Sequence, residues 1–183
     1  MLANNEGLEM LDLSWNHLRM SGAVTLCAGL KVNVTLKQLD LSWNGFGSAG
    51  AQALGEALRH NNTLVHLDLS NNRVSDEGTA LLCNGLAAND SLRILRLAHN
   101  PLTQLGALTL LNTIKYNPKS ALEEINISVR YFKLQPSSVY QLFVCLTFVR
   151  DFRHVCVSVC ACVFVYPSVR PCVCSSVCPS LCV

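Results

Sequence analysis

The feature that most constrains this chain is a short leucine motif that recurs every 28 residues. Four copies of Leu-x-x-Leu-x-Leu begin at Leu8, Leu36, Leu64 and Leu92, and a fifth, more divergent copy begins 30 residues later at Leu122. A fixed period of this length predicts stacked units, because a single unit cannot bury its own apolar faces. The chain is therefore expected to form a one-dimensional array.

Within each unit the hydrophobic period changes from strand-like to helix-like. The leucine motif is followed by an asparagine and a further apolar residue, and then by apolar pairs four residues apart, such as Leu26 and Leu30, which share one helix face. The pattern L-x-x-L-x-L-x-x-N-x-L is typical of leucine-rich repeats. We predict an α/β leucine-rich-repeat solenoid over residues 1–128, a horseshoe arc with parallel strands on its concave face and helices on its convex face. A helix in every unit favours the long, ribonuclease-inhibitor-type repeat.

Asparagines and glycines recur in the same register. The loop after each strand leaves backbone groups that must be paired, and an amide side chain both donates and accepts. We therefore predict a buried asparagine ladder, formed by Asn16, Asn44, Asn72 and Asn100. A second set is predicted to close the helices in left-handed backbone: Asn33, Asn61, Asn89 and Asn117. The glycines are expected where each helix approaches the strand layer closely: Gly22, Gly50, Gly78 and Gly106.

The repeat period disappears after about Ser128, and eight of the ten cysteines lie from Cys145 onward. We predict a separate, low-complexity Cys/Val-rich tail over residues 129–183, disordered or spurious. Because a TG dinucleotide repeat encodes alternating cysteine and valine, we favour read-through of non-coding DNA. Metal binding by paired cysteines, as in Cys172-x-Cys174, and a membrane segment are alternatives. The apolar run 139–149 is shorter than the roughly 20 residues that span a bilayer, and its two-residue period favours β structure.

Alternation along each strand predicts which side chains face the concave surface. One row carries Asp12, Asp40, Asp68 and Arg96, and we expect Arg96 to pair with Asp68. The neighbouring carboxylates are expected to raise one another's pKa without forming a catalyst. His66 belongs to the adjacent row. Trp15, Trp43 and His99 lie nearer the strand ends, and the two tryptophans predict an exposed aromatic step. We propose these eight residues as a protein-binding site, with packing of both rings on the strand-end loop as the alternative.

Composition excludes several functional classes. The net charge is +2, and residues 1–135 carry 11 basic and 11 acidic residues, so no basic stripe for nucleic acid is predicted. No catalytic triad, phosphate-binding loop or zinc motif is present. No signal peptide follows Met1. Cys27 and Cys83 share one helical register and are expected as buried, reduced thiols. We therefore expect a cytoplasmic protein that is not an enzyme and has no cofactor, metal, membrane or small-molecule substrate.

The units LEMLDLSWNHL and LKQLDLSWNGF, with the stretch LCAGLKVNVTL, resemble the leucine-rich repeat-containing protein 74 family, vertebrate proteins with ribonuclease-inhibitor-type repeats. The resemblance covers residues 1–128 and implies a truncated form, with no catalytic residues. It leads us to expect a scaffold that binds an unidentified protein partner on its concave surface. The alternatives are a regulator of a GTPase or signalling enzyme, as in the related Ran GTPase-activating proteins and innate-immune receptors, and a non-functional truncated product.

Overall fold

The computed structural model describes the backbone of residues 2–135, 138–151 and 154–165, and the side chains of residues 2–129. After a short 3-10 helix at Leu2–Asn4, strands and helices alternate. The order is β1 (Met10–Asp12), α1 (Ser21–Val32), β2 (Gln38–Asp40), α2 (Gly47–His60), β3 (His66–Asp68), α3 (Asp76–Leu86), β4 (Ile94–Leu102), α4 (Gln104–Tyr116), β5 (Glu124–Gln135), β6 (Ser138–Asp151) and β7 (His154–Val165).

The sheet follows the order of the sequence. Strands β1 to β5 pair in parallel, and Leu11, Leu39, Leu67 and Leu95 lie opposite one another in successive strands. Equivalent residues are therefore neighbours one strand apart, about 4.8 Å. The leucine-rich-repeat solenoid predicted for the chain is confirmed. Among the described residues, no helix combines the length and apolar character of a membrane-spanning segment.

The core lies between the strand layer and the helix layer. The motif leucines of the second, third and fourth units are almost wholly buried, together with Phe46 from the loop and Leu54 from α2. In the first unit Leu8, Leu11 and Leu13 are only partly buried. The reason is positional, because in the described part of the chain only the 3-10 helix lies outside β1. A unit is buried by its neighbours, and the first unit has a partner on one side only.

Glycines in the first helical turn do not serve the strand layer, as we expected. A Cβ at Gly50 would lie 2.6 Å from Phe46 Cδ1, and one at Gly78 would lie 3.1 Å from Val74 Cγ1. At Gly106 the nearest group is the Asp76 side chain of the preceding helix. These glycines make room for the apolar loop residue four positions earlier and for the preceding helix.

The helix-end asparagines also depart from expectation. Asn33, Asn61 and Asn117 follow their helices in extended backbone, with φ of −71°, −86° and −91°, not in left-handed backbone. Their side chains are buried and reach the preceding repeat. Asn61 Nδ2, for example, donates to the carbonyl oxygens of Leu30 at 2.8 Å and Asn33 at 2.9 Å. The asparagines are therefore selected for hydrogen bonding between repeats, not for backbone conformation.

Strand β5 crosses the predicted tail boundary, and the sheet continues antiparallel from β5 to β6 and from β6 to β7. These strands agree with the two-residue period of residues 139–165. The division of the chain at residue 128, and a disordered or spurious character for residues 129–183, stay predictions. The metal interpretation concerns cysteine side chains outside the described ones, and residues 136–137, 152–153 and 166–183 lie outside the described residues altogether.

Burial also controls the reactivity of the helix cysteines. Cys27 and Cys83 are free thiols inside the core, and desolvation raises the pKa of Cys27 to about 12. Since the thiolate is the reactive form, we expect Cys27 to resist alkylation at pH 8 in the folded protein and to react readily in urea. Mass spectrometry of the tryptic peptides measures both rates. Equal rates with and without urea would show that the thiol is not buried.

Candidate functional site

The loops after the strands are held by the asparagine ladder. Asn72 Oδ1 accepts from the backbone N–H groups of Asn44, Gly45 and Phe46, at 3.1, 2.9 and 3.3 Å. Its Nδ2 donates to the Leu41 carbonyl at 2.7 Å. Each ladder asparagine thus closes the loop of the preceding repeat as well as its own. Asn44, Asn72 and Asn100 are buried as predicted, but Asn16 is exposed because no preceding loop covers it.

Strand-end residues share a left-handed backbone that fixes the edge of the arc. Trp15, Trp43, Asn71 and His99 have φ of 61°, 59°, 58° and 56°. The backbone N–H of Trp15 donates to the Ser42 carbonyl at 3.1 Å, and the next repeats repeat this bond. Every repeat makes the same turn with a different side chain. The turn therefore does not require tryptophan at Trp15 or Trp43.

The two tryptophan rings lie in contact on the surface. Their centroids are 4.2 Å apart and their planes are inclined by 10°. Trp15 is 63 % exposed and Trp43 is 45 % exposed. The predicted aromatic step is therefore present, and its rings stack on each other. Such a pair contributes roughly 0.5–1.5 kcal/mol when isolated from solvent, and less at this exposure.

We call the recess beside these rings the tryptophan cleft. Its volume is about 590 Å³, and its polar lining consists of His17, Arg19, Asn44, Asn71, Arg73 and His99. His17, Arg19 and Arg73 were missed by the sequence analysis, although they lie two or four positions after the tryptophan position of their units. A signal was available, because residues 28 apart in these rows must also be neighbours.

The acidic trough is a second recess, on the sheet face. It has a volume of about 370 Å³, and Asp12, Asp40, Asp68, His66 and Arg96 line it. The eight residues proposed from the sequence therefore fall into two recesses, five in the trough and three in the tryptophan cleft. Arg96 Nη1 lies 3.9 Å from Asp68 Oδ2, which confirms the expected pair.

The aspartates of the trough are held by the chain itself. Asp12, Asp40 and Asp68 each accept from the backbone N–H two residues later, at 2.8 Å. At Asp12 the backbone bond from Ser14, followed by the Ser14 hydroxyl, lowers the pKa of the carboxyl. The expected rise in pKa is therefore wrong for Asp12, because local hydrogen bonds favour the charged form. These carboxylates close the strands and present fixed negative charge.

His66 occupies the middle of the trough. Its Nε2 is buried and has no hydrogen-bond partner among the described residues. The neighbouring positions across the sheet are Gln38 and Ile94. Since a buried, unpaired ring nitrogen is unfavourable, it is a group that a bound partner could satisfy. Within the described residues, no three His, Cys, Asp or Glu side chains gather as metal ligands.

Comparison with solved structures supports the fold. An 'Actin-Binding Site 2' structure of leiomodin-1 superposes with a TM-score of 0.63 at 19 % identity, covering 73 % of this chain and 76 % of that one. The Caenorhabditis elegans tropomodulin C-terminal domain gives 0.59 at 12 % identity, covering 73 % and 80 %. No curated protein matches the sequence. The family model for the Leucine Rich repeat matches residues 4–27, 32–55, 60–83 and 88–111. Together these segments make up more than half of the chain, which belongs to the leucine-rich repeat family.

Proposed function

We propose that this chain is a non-enzymatic scaffold that binds a protein partner across the tryptophan cleft and the acidic trough. The observation that carries the proposal is the stacked pair Trp15 and Trp43, two large apolar rings held at the surface where the fold does not require them. Tryptophan is the residue most enriched at the energetic centres of protein interfaces. The trough begins only three residues before Trp15, at Asp12, so one partner could cover both recesses.

The same proposal includes the cytoplasm as the compartment and a relationship to the leucine-rich repeat-containing protein 74 family. Free, buried Cys27 and Cys83 suit a reducing compartment. A helix in each 28-residue unit suits the ribonuclease-inhibitor-type repeat. Leiomodin-1 shares only the fold with this chain, but its printed actin-binding site makes purified actin a reasonable first partner to assay.

Photo-cross-linking tests the location of the surface. A benzophenone amino acid replaces Trp43 in one variant and Leu108, an exposed residue of α4, in the other. We expect cells expressing the Trp43 variant to give a discrete cross-linked protein that the Leu108 variant does not give. Equal cross-linking from both positions would contradict the proposal. If the partner is a GTPase, its turnover with and without the chain separates a regulator from a scaffold.

Alanine substitution tests the energetic role of the rings. In Trp15→Ala/Trp43→Ala we expect affinity for the cross-linked partner to fall by about 2 kcal/mol or more, roughly thirtyfold. The free energy of unfolding should fall by less than about 1.5 kcal/mol, since the rings are exposed. Calorimetric titration and urea unfolding measure the two quantities. The matched control is Leu105→Ala/Leu108→Ala, two exposed apolar residues on α4. Large loss of stability with unchanged affinity would favour a structural role for the tryptophans.

A further inference from the structure

The tryptophan cleft carries a positive charge that nothing in its lining balances. Arg19 and Arg73 line it together with His17 and His99, and no aspartate or glutamate is among its described lining residues. The ion pairs of the described side chains are Lys37–Glu9, Arg93–Glu123 and Arg96–Asp68. Both cleft arginines are exposed and take part in none of them. Two unpaired guanidinium groups therefore flank a stacked aromatic pair.

Gly45 brings Arg19 toward the rings. It lies two residues after Trp43 and has a φ of +81°, in the region that favours glycine. A Cβ at Gly45 would lie 3.3 Å from Arg19 Nε and 3.5 Å from Arg19 Cγ. The arginine side chain thus crosses from the first repeat onto the bare backbone of the second. A larger residue at this position would displace it from the loop that carries Trp43.

We propose that the tryptophan cleft binds an acidic peptide segment containing an aromatic residue. The aromatic ring of the peptide stacks on the exposed face of the tryptophan pair, and its carboxylates pair with Arg19 and Arg73. Arginine binds carboxylates through two parallel N–H donors, which favours it over lysine at such a site. The inference rests on the proposed function and names the chemistry of the partner at one of its two recesses.

A nucleic acid fits this surface less well. The aspartates of the acidic trough lie only a few residues from the cleft, and they would repel a polyphosphate backbone that ran past the rings. The tryptophan rings also stack directly on each other, at 4.2 Å, so no base can enter between them. A peptide can place acidic residues at the cleft and basic residues at the trough. This opposite pairing is open only to a partner of mixed charge.

Intrinsic fluorescence offers a direct assay, because Trp15 and Trp43 are the only two tryptophans of the chain. The probe is a random copolymer of glutamate and tyrosine, titrated into the full chain with excitation at the red edge of tryptophan absorption. We expect saturable quenching that weakens with added salt. Arg19→Glu/Arg73→Glu should lower the affinity by about tenfold or more. Lys31→Glu/Arg59→Glu, matched in charge on the last turns of α1 and α2, should change it by less than about twofold.

Three results would overturn the inference: no binding of the acidic copolymer, equal binding of a lysine–tyrosine copolymer, or an affinity unchanged in Arg19→Glu/Arg73→Glu. Tighter binding of oligothymidylate than of the copolymer would overturn it in favour of a nucleic-acid surface. The single neutral variant Arg73→Gln, with an expected loss of about threefold, keeps the test open if the double variant fails to fold. Cross-linking from Trp43 does not use the acidic probe. A partner captured there that leaves the copolymer unbound would preserve the proposed function and reject the acidic peptide.

Discussion

Replacing Asn72 by alanine is expected to lower the free energy of unfolding by about 3–5 kcal/mol, because several buried backbone groups lose their partners at once. The Asn72 amide accepts from three N–H groups of the second repeat and donates to carbonyls of Leu41 and Ser70. The side chain is fully buried, so water cannot replace these bonds. Because neighbouring repeats share this amide, the loss should separate the second repeat from the third.

The matched control is Asn16→Ala, the same position at the open end of the ladder. Asn16 is exposed, and its side chain donates to the Ser14 carbonyl at 2.9 Å. We expect this change to cost less than about 1 kcal/mol. Urea unfolding followed by circular dichroism gives both values. Similar losses for the two variants would show that the amides do not act through burial and inter-repeat bonds.

A second pair of substitutions is expected to give effects of opposite sign. A Cβ at Gly85 in α3 would overlap the Gly55 carbonyl oxygen and lie 2.6 Å from its carbon and 2.8 Å from its Cα. These are backbone atoms of α2, so no rotamer change can relieve the overlap. Gly85→Ala should therefore separate the two helices and destabilise the chain by about 2 kcal/mol, after allowing for the better helix propensity of alanine.

Gly22→Ala is the control for helix propensity. In α1 the nearest atom to a Cβ at Gly22 is Leu18 Cδ2, at an ordinary contact distance of 3.7 Å. Alanine should therefore stabilise the helix by about 0.5–1 kcal/mol. Thermal and urea unfolding of the two variants measure the difference. A gain in both would mean that α2 and α3 are not held together through the Gly55–Gly85 contact.

The sequence predicts the strand register unusually well because of its repetition. Once the four leucine motifs are aligned, the pairing of Leu11 with Leu39 and of Leu39 with Leu67 requires no further information. The same alignment predicts the asparagine ladder, since a loop repeated in one register leaves the same groups unpaired each time. It does not reveal the contact between Gly55 and Gly85, which are 30 residues apart and belong to no 28-residue row.

The site is only partly accessible to sequence reasoning. Alternation along the strands brings Asp12, Asp40 and Asp68 together, and the repeat places Trp15 beside Trp43. The alternation rule stops where the backbone becomes left-handed, immediately after the strands. Beyond that point the direction of Arg19 depends on the bare backbone of Gly45. The division into an acidic trough and a tryptophan cleft follows from that turn.

The sequence by itself determined the unit, the order of strands and helices, and the rows of residues that become neighbours, because each follows from one period. Only the tertiary structure decided how deeply each copy is buried, since burial depends on the units stacked on either side. Asn16 and Asn72 have the same motif position, yet one is exposed and the other fully buried. The tertiary structure also decided the role of the helix-end asparagines, because their partners lie 28 and 31 residues away, in the preceding repeat.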